Sequence, residues 1–169
     1  MKIPKTSIKF FINGLLEEFE TITDFEMLEN MCIKKYSSVY LIKLHIIDFY
    51  YKLNCEQDKM YKLALNYGIA TKLSEIISSP NKEKYYPSDW NIDDESTYAK
   101  RIADIAERYY ASVFEDLSVL PILIRLSEKY RLNKKRNLGL KSIGRSWFKY
   151  GLIETPIETS IKKMKKLII

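Results

Sequence analysis

Glycine and proline are scarce in this chain of 169 residues, five of each. That scarcity excludes a collagen-like repeat, a Gly-rich phosphate loop and a turn-dense β-sandwich. The two cysteines, Cys32 and Cys55, are too few for a disulfide scaffold or a four-cysteine zinc site. They read as reduced, buried thiols of a reducing compartment. The single histidine, His45, cannot build an H-E-x-x-H site, and no G-x-S-x-G accompanies it. It reads as a core or helix-flank residue. No apolar run approaches the ~20 residues that span a bilayer. The start of the chain is broken by charges and lacks a secretory cleavage site.

What is present is ordinary for a soluble domain, with 46% apolar and 30% charged residues, and 13 tyrosines. The net charge of +6 is unevenly placed. Residues 1–128 carry 16 Lys/Arg against 20 Asp/Glu, and residues 129–169 carry 12 against two. A mildly acidic body of −4 therefore precedes a C-terminal quarter of +10. Such a segment repels itself unless it meets a polyanion. Between Lys134 and Gly151 the chain reads KKRNLGLKSIGRSWFKYG, with basic residues interleaved with Trp147, Phe148 and Tyr150. Phosphate contacts beside stacking rings suit nucleic acid. The candidate RNA-binding residues are Lys134, Lys135, Arg136, Lys141, Arg145, Trp147 and Lys149; a solvated tail is the plain alternative. The first 16 residues are basic, acid-free and amphipathic. They suit a mitochondrial import segment or a structural helix.

Periodicity predicts an all-α body with no internal repeat. Ile8, Phe11, Ile12, Leu15, Leu16 and Phe19 make an apolar stripe over residues 6–20. A short helix is expected at 24–35. Residues 38–53 are apolar almost all round, which predicts a helix at the centre of a bundle. Two helices, 57–67 and 69–78, are expected on either side of Gly68, a candidate C-terminal cap. Residues 79–94 hold two prolines and no periodicity, which predicts a long loop. Tyr98, Ile102, Ile105, Ala106, Tyr109 and Val113 mark the clearest helix, 95–116. A further helix is expected at 118–130, with Pro121 in its first turn. After Arg131 a basic, irregular extension is expected, with a last helix at 157–167. The implied division is a helical domain, 1–131, and a basic extension, 132–169.

Three segments in order resemble the ribonuclease III domain, over about residues 36–128. Lys100–Asp116 is similar to the family pattern A-D-x-x-E-A-x-x-G-A-x-x-x-D, through Ala103, Asp104, Glu107, Ser112 and Asp116. Tyr61–Leu73 is similar to L-A-x-x-x-G-L-x-x-x-L, and Val39–Tyr50 to the signature L-E-F-L-G-D-A-V-L-D-L. The resemblance implies a ribonuclease III-like helical bundle. In that family four carboxylates bind Mg²⁺ and activate water, because Mg²⁺ takes hard oxygen ligands. Here Tyr40 and Leu44 stand at two of those positions, and Lys43 replaces the glycine. Asp104 and Glu107 remain as a vestigial pair on one face of a helix, opposite the apolar stripe.

The resemblance therefore implies a domain that has lost its nuclease, with no catalytic residues, no bound metal and no cofactor. Such domains serve in the mitochondrial large ribosomal subunit, where they bind rRNA and pair with a second ribonuclease III-like domain among other ribosomal proteins. A mitochondrial or other reducing intracellular location and no membrane contact follow as expectations. Two alternatives stay open. One is a Mg²⁺-dependent double-stranded RNA endonuclease completed by acids such as Asp48 or Glu75. The other is a helical protein-interaction adaptor.

Overall fold

The computed structural model describes residues 5–17, 22–79, 82–92 and 94–144. These residues are helical, as the periodicity predicts, with no strand among them. In chain order the helices are α1 (Lys5–Glu17), α2 (Phe25–Cys32), α3 (Ser38–Tyr51), α4 (Gln57–Ser78), α5 (Glu95–Asp116) and α6 (Ile122–Ser142). The expected helix at 157–167 lies outside the described residues, as do Arg145, Trp147 and Lys149.

Three expected helix boundaries are corrected. First, α2 does not stop before α3. The wider π-helical turn Ile33–Ser37 joins them, and the backbone stays right-handed through Cys32, Ile33 and Ser38. Second, Gly68 does not break a helix, because α4 runs unbroken through it for 22 residues. Gly68 is there for close approach. A Cβ at this position would collide with the backbone nitrogen and hydroxyl oxygen of Ser37. Gly14 of α1 meets the same π segment from another side, where a Cβ would lie 2.6 Å from the Lys35 nitrogen. The Ser37 hydroxyl donates to the Leu65 carbonyl at 3.0 Å, which ties the segment to α4. Third, the described residues after Arg131 are not irregular. Helix α6 continues to Ser142, and its Leu132 and Leu140 are buried.

The central helix is α4, not the more apolar α3. From Leu63 to Ile77 almost every side chain of α4 is buried, including Asn66, Thr71, Lys72 and Ser74. Small residues at Ala64, Gly68, Ala70 and Ser74 let neighbours approach on several sides, and α5, α6, α3 and the π segment all pack there. The buried hydroxyls have partners: Thr71 donates to the Tyr67 carbonyl at 2.9 Å, and Ser74 shares a 2.9 Å bond with the Tyr110 hydroxyl. Helix α3 lies at the edge and leaves Val39, Ile46, Phe49 and Tyr50 exposed. Helix α1 adds Ile8, Phe10, Ile12 and Leu16 to the exposed apolar residues.

Within 79–94 the described residues form two short turns, Lys82–Tyr85 and Ser88–Trp90, instead of a plain loop. Their rings pack on the core. Trp90 stacks on Phe25 and Tyr98, with centroids 5.9 and 5.5 Å away, and the Arg101 guanidinium lies 4.0 Å above Trp90. Asp94 caps α5 by accepting from the Ser96 and Thr97 amides. Of the two thiols, Cys32 is buried and burial pushes it up to about 12, while Cys55 is half-buried. His45 is half-buried and lines a cavity of about 320 Å³ between α1, α3 and α4.

Gly68→Ala separates the two readings of this glycine. At an open helix position alanine would gain about 1 kcal/mol over glycine. Here the collision with Ser37 is expected to outweigh that gain and to destabilise the protein by about 1–3 kcal/mol, read by urea denaturation.

Candidate nucleic-acid interface

Helix α6 carries Arg125, Lys129, Arg131, Lys134, Lys135, Arg136 and Lys141 against one carboxylate, Glu128. That carboxylate faces inward and its residue is 3% exposed. A buried carboxylate is costly unless donors surround it. The Tyr67 hydroxyl donates to Glu128 Oε2 at 2.8 Å, and the Tyr40 hydroxyl lies 3.4 Å from the same oxygen. The Lys43 ammonium donates to Oε1, and Arg131 approaches it at 3.9 Å. Tyr40 and Tyr67 stack nearly parallel, with centroids 3.5 Å apart. Burial first, and then the Glu128 charge, push both phenols far above the usual tyrosine range. They therefore stay protonated and able to donate.

With Glu128 turned inward, the solvent face of α6 shows only positive charge. Ser127, Arg131, Lys134, Leu138 and Lys141 are its exposed residues between the first turn and the terminal Ser142. Their spacing follows one face of a helix. Arg131 and Lys141 stand about 15 Å apart along it, at 1.5 Å per residue.

The expected RNA-binding residues divide. Lys134 and Lys141 are exposed. Lys135 and Arg136 are committed to the body. Lys135 donates to Glu75 of α4. Arg136 holds Glu107 of α5 by a two-pronged pair, with Nε at 2.8 and 3.0 Å and Nη2 at 2.6 Å. Both partners of that pair are mostly shielded, with 15% and 19% of their side chains exposed. These two cations latch α6 onto α4 and α5.

The same contacts relocate the positions that resemble a metal site. Asp104 is exposed, as expected. Glu107 is not on the solvent face, because the buried stripe of α5 runs through Ala103, Ala106 and Tyr110, and Ile105 and Tyr109 are only half-buried. Tyr98, Ile102, Ala106 and Val113 of the expected stripe are buried, but Ala99, Ala103 and Tyr110 widen it on the side away from Ile105 and Tyr109, and Glu107 turns to α6. Tyr40 and Leu44 are buried on α3, which is separated from α5 by α4. Tyr40 reaches α6 at Glu128 and Glu107 reaches it at Arg136. Those anchor points are about 12 Å apart along the helix.

The other acids are engaged in local structure. Asp48 accepts from the Cys55 amide at 3.1 Å, and Asp116 pairs with Lys62 at 3.0 Å and with Asn66 at 3.3 Å. Among the described residues, no three of His, Cys, Asp and Glu gather as ligands of one ion. No helix among them is long and apolar enough to cross a membrane. The Glu128 cluster and the latch leave no signal in the one-dimensional pattern, since each joins residues 29–88 positions apart. No protein family, no curated protein and no solved structure matches this chain.

A double-mutant cycle on Glu107→Ala and Arg136→Ala is expected to give a coupling energy of about 1–3 kcal/mol. Glu128→Ala leaves two phenols and an ammonium without their acceptor. It is expected to cost about 3 kcal/mol or more, against about 1 kcal/mol for Tyr40→Phe, whose bond is long. Equilibrium unfolding of the variants measures each.

Proposed function

We propose that this chain is a non-catalytic RNA-binding protein that presents α6 and the residues after it to a phosphate backbone. The observation that carries the reading is the one-sided charge of α6. Its only acid is buried, and Arg131, Lys134 and Lys141 line its solvent face. A cationic helix of this kind binds by releasing counterions from the nucleic acid, without a demand for base sequence. The pairing of Glu107 with Arg136 and of Glu75 with Lys135, and the bond from the Cys55 amide to Asp48, support a binding role over a hydrolytic one.

The ribonuclease III resemblance extends the proposal. It suggests rRNA as the ligand, and a place in a mitochondrial large ribosomal subunit beside a second domain of the same kind. The exposed apolar residues of α3 and α1 are the face such a partner would cover. The same residues favour a second reading, a helical adaptor that binds protein and no RNA.

Retardation of a structured RNA by the full chain, measured across salt concentrations, tests the proposal. Affinity is expected to fall steeply as salt rises. Lys134→Gln and Lys141→Gln are each expected to flatten the log–log slope by about 0.7–0.9. Truncation should follow Gly144, since a cut at residue 132 would remove the buried Leu132 and Leu140. Absence of retardation at low salt, or a slope near zero, refutes the RNA reading. Co-purification with a protein partner free of RNA would then favour the adaptor.

A further inference from the structure

The cavity beside His45 has a volume of about 320 Å³. That lies within the range that takes small ligands, roughly 300–1,000 Å³. Its apolar walls include Phe10 of α1, Ile33 of the π segment, Leu41 of α3 and Leu65 of α4. Its polar lining contains one carboxylate, Asp58, and no lysine or arginine. The chain as a whole carries +6, so the charge of this lining is opposite in sign to that of the molecule.

We propose that this cavity binds a small organic cation, an ammonium or amidinium group carried on an apolar or aromatic body. The site is independent of RNA binding by α6, because its walls come from α1, the π segment, α3 and α4.

The polar groups of the lining are rich in acceptors. The Ser37 hydroxyl gives its proton to the Leu65 carbonyl at 3.0 Å, and the Ser38 hydroxyl gives its own to the Ile33 carbonyl at 3.4 Å. Each oxygen keeps its lone pairs, so both serines can only accept. Ser7 is 3% exposed and lines the cavity, and its hydroxyl makes no hydrogen bond among the described residues. A buried hydroxyl without a partner is costly, and a ligand can supply the partner. The Asp58 carboxylate and the His45 ring also have no hydrogen-bond partner among the described residues. Lys62, one turn further along α4, is the natural partner of Asp58, yet it pairs with Asp116 at 3.0 Å. Lys59 pairs with Glu56, also at 3.0 Å. The first turn of α4 is a favourable place for an acid, which accounts for the position of Asp58 but gives its oxygens no donor.

A ligand that fits must donate hydrogen bonds, bring positive charge and bury an uncharged body. An ammonium carries donors and no acceptor, which matches a carboxylate and serine oxygens whose protons are already engaged. Asp58 is exposed and marks the mouth of the cavity. Tyr61, three residues further on, lies on the same side of α4, and an aromatic ring there adds attraction for a cation. The apolar walls take the body. An anion meets repulsion from Asp58 and finds no cation in the lining. A neutral alcohol of the same shape lacks the charge that Asp58 attracts.

Benzylamine and benzamidine are the probes, with benzyl alcohol and benzoate as the neutral and anionic counterparts. Each is titrated into the full-length chain and followed by backbone amide shifts. Both cations are expected to move the amides of Ser7, Ser38, His45 and Asp58. Benzyl alcohol should bind about five- to tenfold more weakly, and benzoate should move none of these amides. Asp58→Asn should weaken benzylamine about five- to tenfold, the loss of one charged hydrogen bond at an exposed acid, and leave benzyl alcohol unchanged. Asp89→Asn, at an exposed acid outside the cavity, should change neither. Equal affinity for benzylamine and benzyl alcohol, or unaltered affinity for benzylamine in Asp58→Asn, overturns the proposal. So does the absence of shifts in the lining, or shifts spread evenly over the surface carboxylates.

Discussion

A carboxylate buried in the middle of a helical body constrains everything packed around it. Glu128 can remain there only because Tyr67 from α4 and Tyr40 and Lys43 from α3 converge on it. Those contacts fix how far α6 slides along its neighbours and how it is turned about its own axis. With position 128 pointing in, the periodicity of the helix places Arg131, Lys134 and Lys141 outside. A single inward-facing acid thus converts a merely basic sequence into a helix with a one-signed surface. The adjoining pairs Glu75–Lys135 and Glu107–Arg136 hold the next two turns in the same orientation.

The second constraint is steric. Two glycines, Gly14 and Gly68, press on the π-helical turn from α1 and from α4. A π-helical turn carries an extra residue, and such insertions often mark functional sites. Here Ile33 and Ser37 of the insertion line the cavity beside His45. The close approach of α4 also carries Lys72 under Tyr36.

Much of the fold was legible from periodicity. The span of α5 and the outer bounds of α4 follow from apolar residues at helical spacing, and Pro121 marks the entry to α6. The misreadings share a cause. Gly68 looks like a cap because glycine is common there, yet a glycine needed for contact with another helix carries the same letter. Helix α3 looks central because it is apolar, but burial depends on how many neighbours can approach, and the small residues lie on α4. In α5 the apolar spacing points to Ile105 and Tyr109, while the packing buries the small Ala99 and Ala103 beside Ala106, whose size admits a neighbouring helix. The candidate interface was half legible: Lys134 and Lys141 stand outside as expected, and Lys135 and Arg136 differ from them only in what lies across from them.

By itself the sequence determined the helical class, the bounds of most helices, and the separation of an acidic body from a basic C-terminal quarter. These properties depend on neighbours within a turn or two, and on counting. Only the tertiary structure decided which helix is central, where α6 ends, and which of its cations face solvent. It also decided that Glu107 serves a latch and that Ser7, His45 and Asp58 share one cavity. Each of these outcomes joins side chains from different helices. Their meeting is set by crossing helices and close approaches, which no local spacing encodes.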